Sequence, residues 1–138
     1  MTDEKLVSKL KLERLSFEEI TYSRDLNAAV IPEYEMNFTR QVSAHEDQKH
    51  FRVSLTANVW TKDADTIKVK VTIVGFFFCD CEDEWIKSEL INKNSLSILF
   101  PYLRSQISLV TTQPDMPPIT IQPINIVGLF GEADSQDK

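Results

Sequence analysis

Glycine is scarce in this chain, with three in 138 residues. That scarcity excludes a glycine-rich loop of the kind that cradles phosphates. Two cysteines, Cys79 and Cys81, make half of a closed zinc site at most, and their spacing disfavours a disulfide between them. The residues leave open a metal bridged between subunits, beside the simpler reading of strand-end cysteines, one buried and one exposed. The two histidines, His45 and His50, lie in the polar stretch AHEDQKH and read as part of a solvated loop. Positive charge is also short: 15 Lys and Arg against 21 Asp and Glu give a net charge of −6 and a pI near 4.9. Such a chain lacks the basic footprint that neutralises nucleic-acid phosphates or anionic lipid. No apolar run reaches the length of a membrane span, and MTDEKLVSKLKLER has no apolar core of a secretory signal. The expectation is a cytoplasmic protein with no membrane insertion and no nucleic-acid partner. No nucleophile motif and no paired carboxylates stand out, so neither an enzyme nor a cofactor is expected.

What is present is the composition of one soluble domain, 42% hydrophobic and 26% charged. A chain of this length can bury about two thirds of its unfolded surface. The first half alternates with period two, the signature of strands. Leu10 and Leu12, then Leu15 and Phe17, then Ile20 and Tyr22 keep one face with two slips of register, as β-bulges in one long strand would produce. Arg24 to Pro32 reads as a crossover loop. Tyr34, Met36 and Phe38 resume the alternation against Glu35, Asn37 and Thr39. Val42 to His50 reads as a polar loop. Phe51, Val53, Leu55, Ala57 and Val59 follow, then the turn TKDADT, then Ile67, Val69, Val71 and Ile73 opposite Lys68, Lys70 and Thr72.

After Gly75 the pattern changes. FFFC carries aromatics to both faces of a strand end, and EDEWIKSELI is compatible with a short helix started by acidic residues. Leu96, Leu99, Phe100, Leu103, Ile107 and Val110 then recur at three and four residues and predict a helix over 97–112. Pro101 is either its fourth residue or, if the helix starts at Asn94, a bend. A second apolar side, with Ile98, Tyr102 and Leu109, points to a subunit interface. PDMPPITIQPINIVGLF is too rich in proline for a central strand or a long helix and reads as an extended segment laid over apolar surface. The fold class expected is α+β: a four-stranded antiparallel sheet, a meander with a crossover loop, packed with one long helix. A single domain over residues 1–131 would end in a polar tail, 132–138.

The run SILFPYLRSQISLVTTQPDMPPITIQPINIVGLF resembles the helix-and-linker signature of the SecB family of bacterial protein-export chaperones. The matching residues are Ile98, Leu99, Phe100, Pro101, Tyr102 and Arg104, then Pro117, Pro118, Ile121, Pro123, Asn125, Leu129 and Phe130. ERLSFEEITY is similar to the family's first strand. The resemblance implies a homotetramer, a dimer of dimers with helices sandwiched between the dimers and sheets facing outward, and an ATP-independent holdase for unfolded polypeptides or preproteins, delivered to the SecA motor. Client-binding candidates are Tyr34, Met36, Phe76, Phe78, Ile119, Ile121, Ile124 and Ile126. Interface candidates on the helix are Ile98, Leu99, Tyr102, Leu103, Gln106, Leu109 and Val110. Glu19 matches one acidic SecA-docking position of the family, whereas Ser23, Lys68 and Lys70 depart from it. The end after Asn125, with Gly128 and Gly131, is too short and too glycine-rich for the family's second amphipathic helix. The alternative function, also found among SecB-like proteins, is a chaperone or interaction protein dedicated to one partner such as an antitoxin.

Overall fold

The computed structural model describes residues 9–28, 33–62 and 66–130. Four strands form one antiparallel sheet: β1 (Leu10–Arg24), β2 (Tyr34–Ala44), β3 (His50–Thr61) and β4 (Ile67–Cys79), in the order β1-β4-β3-β2. The last three make the meander, and the segment after Arg24 crosses over, because β1 pairs with β4 while β2 lies at the opposite edge. Both expected bulges are present in β1, between Leu12 and Arg14 and between Phe17 and Glu19. Each slip returns the apolar residues to the face they would otherwise leave.

That face, called inner here, carries the core. Val53, Leu55 and Ala57 of β3 and Val71, Ile73 and Phe77 of β4 are fully buried on it. Gly75 is needed there for space: a β-carbon at this position would come within 2.6 Å of the Phe77 ring and 2.8 Å of Leu99.

One expectation about strand ends needs correction. Val42 to Ala44 belong to β2, not to a loop, and pair with Val53 to Phe51. Polar composition misled there because an edge strand exposes both faces. At the other end, FFFC is the end of β4, as its aromatics on both faces suggested, with Phe76, Phe77 and Phe78 paired to β1 and β3. The β2–β3 hairpin is therefore short, and Asp47 closes it. Its carboxylate accepts the Lys49 N–H at 2.8 Å and the His50 N–H at 3.0 Å, and meets His50 Nδ1 at 2.6 Å. These bonds, the Lys49 amide first, hold the Asp47 carboxyl well below the usual carboxylate range. His50 is thus the first residue of β3 rather than a loop residue.

After β4, α1 (Glu84–Glu89) begins at Asp83, whose side chain accepts the Trp85 and Ile86 N–H groups at 2.9 and 3.2 Å. A π-helical turn (Leu90–Asn94) joins it without a break to α2 (Ser95–Val110). The long helix therefore sits two residues earlier than the pattern suggested, and Pro101 lies inside it. The missing proline N–H leaves the Ser97 carbonyl without its usual helical donor. Leu96, Leu99, Leu103 and Ile107 are fully buried against β3 and β4. The proline-rich segment then runs without regular structure to a short helical turn at 126–130. Thr111 anchors it: its hydroxyl bonds the Ile107 carbonyl at 2.7 Å and accepts the Ile119 N–H at 2.8 Å, while Ser108 Oγ donates to the Ile119 carbonyl at 3.2 Å. Residues 131–138, which include the expected polar tail 132–138, lie outside the described residues.

Candidate functional site: the apolar inner face

One helix covers the two middle strands and leaves the inner faces of both edge strands short of cover. Ile20 on β1 stays 43% exposed, and Met36 and Val42 on β2 stay 38% exposed. All three alternate correctly for the inner face, opposite Val71, Val59 and Val53. On the β2 side Tyr34 and Phe38 are half-buried beside them. Phe38 meets Phe100 of α2 edge-on at 5.9 Å, and the Arg40 guanidinium lies 5.1 Å from the centre of the Phe130 ring. Arg40 also donates to the Asn92 carbonyl at 2.7 Å, tying the edge strand to the π-helical turn. Ile124 and Leu129 add exposed apolar surface from the C-terminal segment. The exposed apolar residues of β2 thus lie beside its contacts with Phe100, Asn92 and Phe130, and this partly covered apolar edge of the inner face, with one cation in it, is called the trough here.

The client-binding candidates separate by this geometry. Tyr34, Met36 and Ile124 reach the surface. Ile119, Ile121 and Ile126 do not: they are buried in the chain's own core, because Thr111 and Ser108 pin the segment down. Phe76 and Phe78 point to the outer face of the sheet, away from the trough. There Arg14 stacks 4.2 Å above Phe76, and the His50 ring lies 5.2 Å from Phe78. The trough's remaining members, Phe38, Val42, Phe100 and Phe130, were not singled out as site residues. Val42 was hidden by the loop reading, although its place in the alternation with Phe38 was a usable signal.

The helix candidates separate as well. Leu99 and Leu103 are fully buried against the chain's own sheet and belong to the core, not to an interface. Tyr102 and Leu109 stand out on the opposite side, 49% and 66% exposed, with Ile98, Gln106 and Val110 half-buried around them. Spacings of four from Ile98 to Tyr102 and seven from Tyr102 to Leu109 keep this second stripe off the core.

The outer face is polar along its middle. Thr56 and Thr72 hydroxyls meet at 2.8 Å, Arg52 pairs with Glu18, and Lys70 Nζ lies 3.2 Å from Glu19 Oε1. A concavity of about 490 Å³ is lined there by Thr21, Ser23, Asn58, Trp60, Lys68 and Lys70. Glu19 is therefore held by a lysine of its own sheet. Cys79 and Cys81 are both buried, correcting the expectation that one is exposed, and neither is in a disulfide. Burial pushes the Cys79 thiol up. Among the described residues no group of three His, Cys, Asp or Glu is placed to hold a metal ion, and no helix is long and apolar enough to cross a membrane.

The family model for SecB, preprotein translocase subunit SecB, matches residues 4–137. The chain belongs to the SecB family. Among its relatives, the protein-export protein SecB of Magnetococcus marinus is 29% identical over 133 residues, covering 94% of this chain and 84% of that one. The protein-export protein SecB of Stenotrophomonas maltophilia is 30% identical over 129 residues, covering 91% and 74%. In three dimensions the chain is similar to the Rv1957 SecB-like chaperone of Mycobacterium tuberculosis, solved in complex with a ChAD peptide from the Rv1956 HigA1 antitoxin. The TM-score is 0.71 at 15% identity, with 88% of this chain and 91% of that chain covered, a likeness of fold. The SecB architecture of four antiparallel strands and one long helix thus holds for this chain.

Proposed function

We propose that this SecB-family chain is an ATP-independent holdase. It binds unfolded polypeptides or preproteins along the apolar trough between β2 and α2, in the cytoplasm, without catalysis and without a cofactor. The observation that carries this is the apolar surface left on the inner face: Met36, Val42, Ile124 and Leu129 are exposed around half-buried Tyr34 and Phe38. Met and aromatic side chains suit a surface that must accept many sequences. Holding an unfolded chain opposes its aggregation by mass action. The net charge of −6 keeps so oily a carrier apart from its copies outside specific contacts. The exposed side of α2, with Tyr102 and Leu109, supports assembly into a homotetramer, a dimer of dimers. The test is suppression of aggregation for several unrelated unfolded proteins at near-stoichiometric ratios. Protection of none of them removes the reading.

A second reading, a chaperone dedicated to one partner such as an antitoxin, has its own support. Glu19, the SecA-docking candidate, is engaged by Lys70, and Ser23 lies opposite Lys68 in the register. A lysine beside the acid weakens attraction and encounter with a cationic docking surface. The fold neighbour was solved with an antitoxin peptide. SecA binding measured at low salt, where charge contacts are strongest, separates the two. Co-purification with one small protein, without general holdase activity, favours the second.

A further inference from the structure

The two edges of the sheet are built differently. β1 is broken by two bulges, a common protection of exposed edges. β2 has no bulge: its register with β3 runs unbroken from Tyr34↔Thr61 to Ala44↔Phe51. Its sequence, YEMNFTRQVSA, contains no proline and no lysine, and its one inward charge, Arg40, is tied to the Asn92 carbonyl and the Phe130 ring. Eleven residues of such a strand extend roughly 37 Å.

The hydrogen-bond frame of β2 follows from its ends. The His45 N–H donates to the His50 carbonyl at 2.8 Å, and the Lys62 N–H donates to the Glu33 carbonyl at 3.0 Å. Bonded and non-bonded pairs alternate along an antiparallel ladder. Glu35, Asn37, Thr39, Gln41 and Ser43 therefore turn their backbone groups toward β3. Tyr34, Met36, Phe38, Arg40, Val42 and Ala44 turn theirs away from the sheet, and among the described residues no further strand lies beyond β2. These are also the residues whose side chains face the trough. One edge thus offers a row of backbone donors and acceptors and, on the same residues apart from Arg40, apolar side chains.

We propose that β2 captures clients by strand addition: an extended segment pairs antiparallel with β2 and lays every second, apolar side chain into the trough. This rests on the holdase reading and specifies its contact. Backbone pairing is indifferent to sequence, so it supplies affinity for any unfolded chain, and the trough supplies the preference for alternating apolar residues. A folded protein, whose backbone groups are mostly paired, offers this edge far less than an unfolded chain does.

The probe is an eleven-residue fluorescent peptide alternating phenylalanine or valine with lysine or threonine, and its binding is measured by anisotropy. Residues directly opposite Met36 and Val42 exchange both backbone bonds with them and share their face. N-methylation of three apolar residues of the peptide therefore blocks the pairing edge, and the expected loss of affinity is about 100-fold. N-methylation of three lysine or threonine residues faces solvent, and the expected loss is about twofold or less. On the protein, Val42→Pro removes an outward N–H without touching the β3 ladder, and an edge strand tolerates proline there. Tenfold weaker binding is expected, roughly the effect of one backbone bond and its neighbours. Val42→Thr, which keeps the N–H, should bind within about twofold of the parent. Equal affinity for both methylated peptides would overturn strand addition and leave the holdase reading standing. No binding of the unmethylated peptide, with no suppression of aggregation, would remove both. A changed native mass in Val42→Pro with unchanged peptide affinity would assign the edge to a second copy of the chain and overturn the proposal.

Discussion

The two faces of the sheet are made from alternate residues of the same strands, yet they solve different problems. On β4, Val69, Val71 and Ile73 are buried under α2, while Lys68 and Lys70, between and beside them, are exposed. The inner face carries more apolar surface than its single helix covers. The outer face satisfies itself, with threonine meeting threonine and acid meeting base. An uncovered apolar surface is where a partner gains most by binding, because burial there removes area from water at about 25 cal/mol per Å². A face of paired surface charges offers far less, since each pair contributes at most about 1 kcal/mol.

This contrast can be broken from either side. The largest effect is expected in the inner core: Leu103→Ala should lower unfolding free energy by about 3 kcal/mol, because a fully buried side chain leaves a cavity. Leu109→Ala, on the exposed side of the same helix, should change the protomer's own stability by less than about 0.5 kcal/mol while weakening assembly. Denaturant melts and native mass, read together, check both. Gly75→Ala comes next. Its new methyl meets Phe77 and Leu99, and the overpacking should cost about 2 kcal/mol, again by denaturant melt. On the outer face, Lys70→Ala opens the exposed pair with Glu19 and should alter stability by about 0.5 kcal/mol or less. A loss above about 1 kcal/mol would mean that this face is structural rather than merely solvated. The smallest effect is local and pH-dependent. The Asp47 carboxyl titrates below its ordinary value near 4, so its contribution is complete above that pH and fades as pH falls through the acid range. Asp47→Asn should therefore loosen hydrogen-exchange protection of the β2–β3 hairpin at pH 7, and the gap to the parent should narrow below about pH 4.

Much of the fold was legible because burial imposes period. β1 announced both bulges through its slipped alternation, and the stripe from Leu96 to Ile107 located α2. Legibility failed where burial is weak. At an edge strand such as β2, polar residues stand on both faces, so Val42 to Ala44 passed for a loop. It failed again where a residue could face either a partner or its own core. Leu99 and Ile121 are as apolar as Tyr102 and Ile124, and only the anchoring by Thr111 and the phase of α2 decide which ones reach the surface. The frame of backbone bonds along β2 depends on how its hairpin closes, which the pattern of side chains does not record.

The π-helical turn between α1 and α2 sets that phase. Ile91 and Leu96 are both buried, five residues apart, whereas later steps of four carry the stripe from Leu99 to Leu103 and Ile107. A plain α-helix, with 3.6 residues per turn, would place the fifth residue well off the face of the first. The turn works like a single inserted letter that restores a reading frame. Forcing this turn into plain α-helix with its length unchanged would put Ile91 and Leu96 out of phase and turn one of the two stretches away from the sheet, whereas deleting one residue between them would keep them on one face at a spacing of four. Family members that lack this extra residue would carry the two corresponding apolar positions four apart instead of five, an unbroken helical stripe that can be sought by aligning sequences alone.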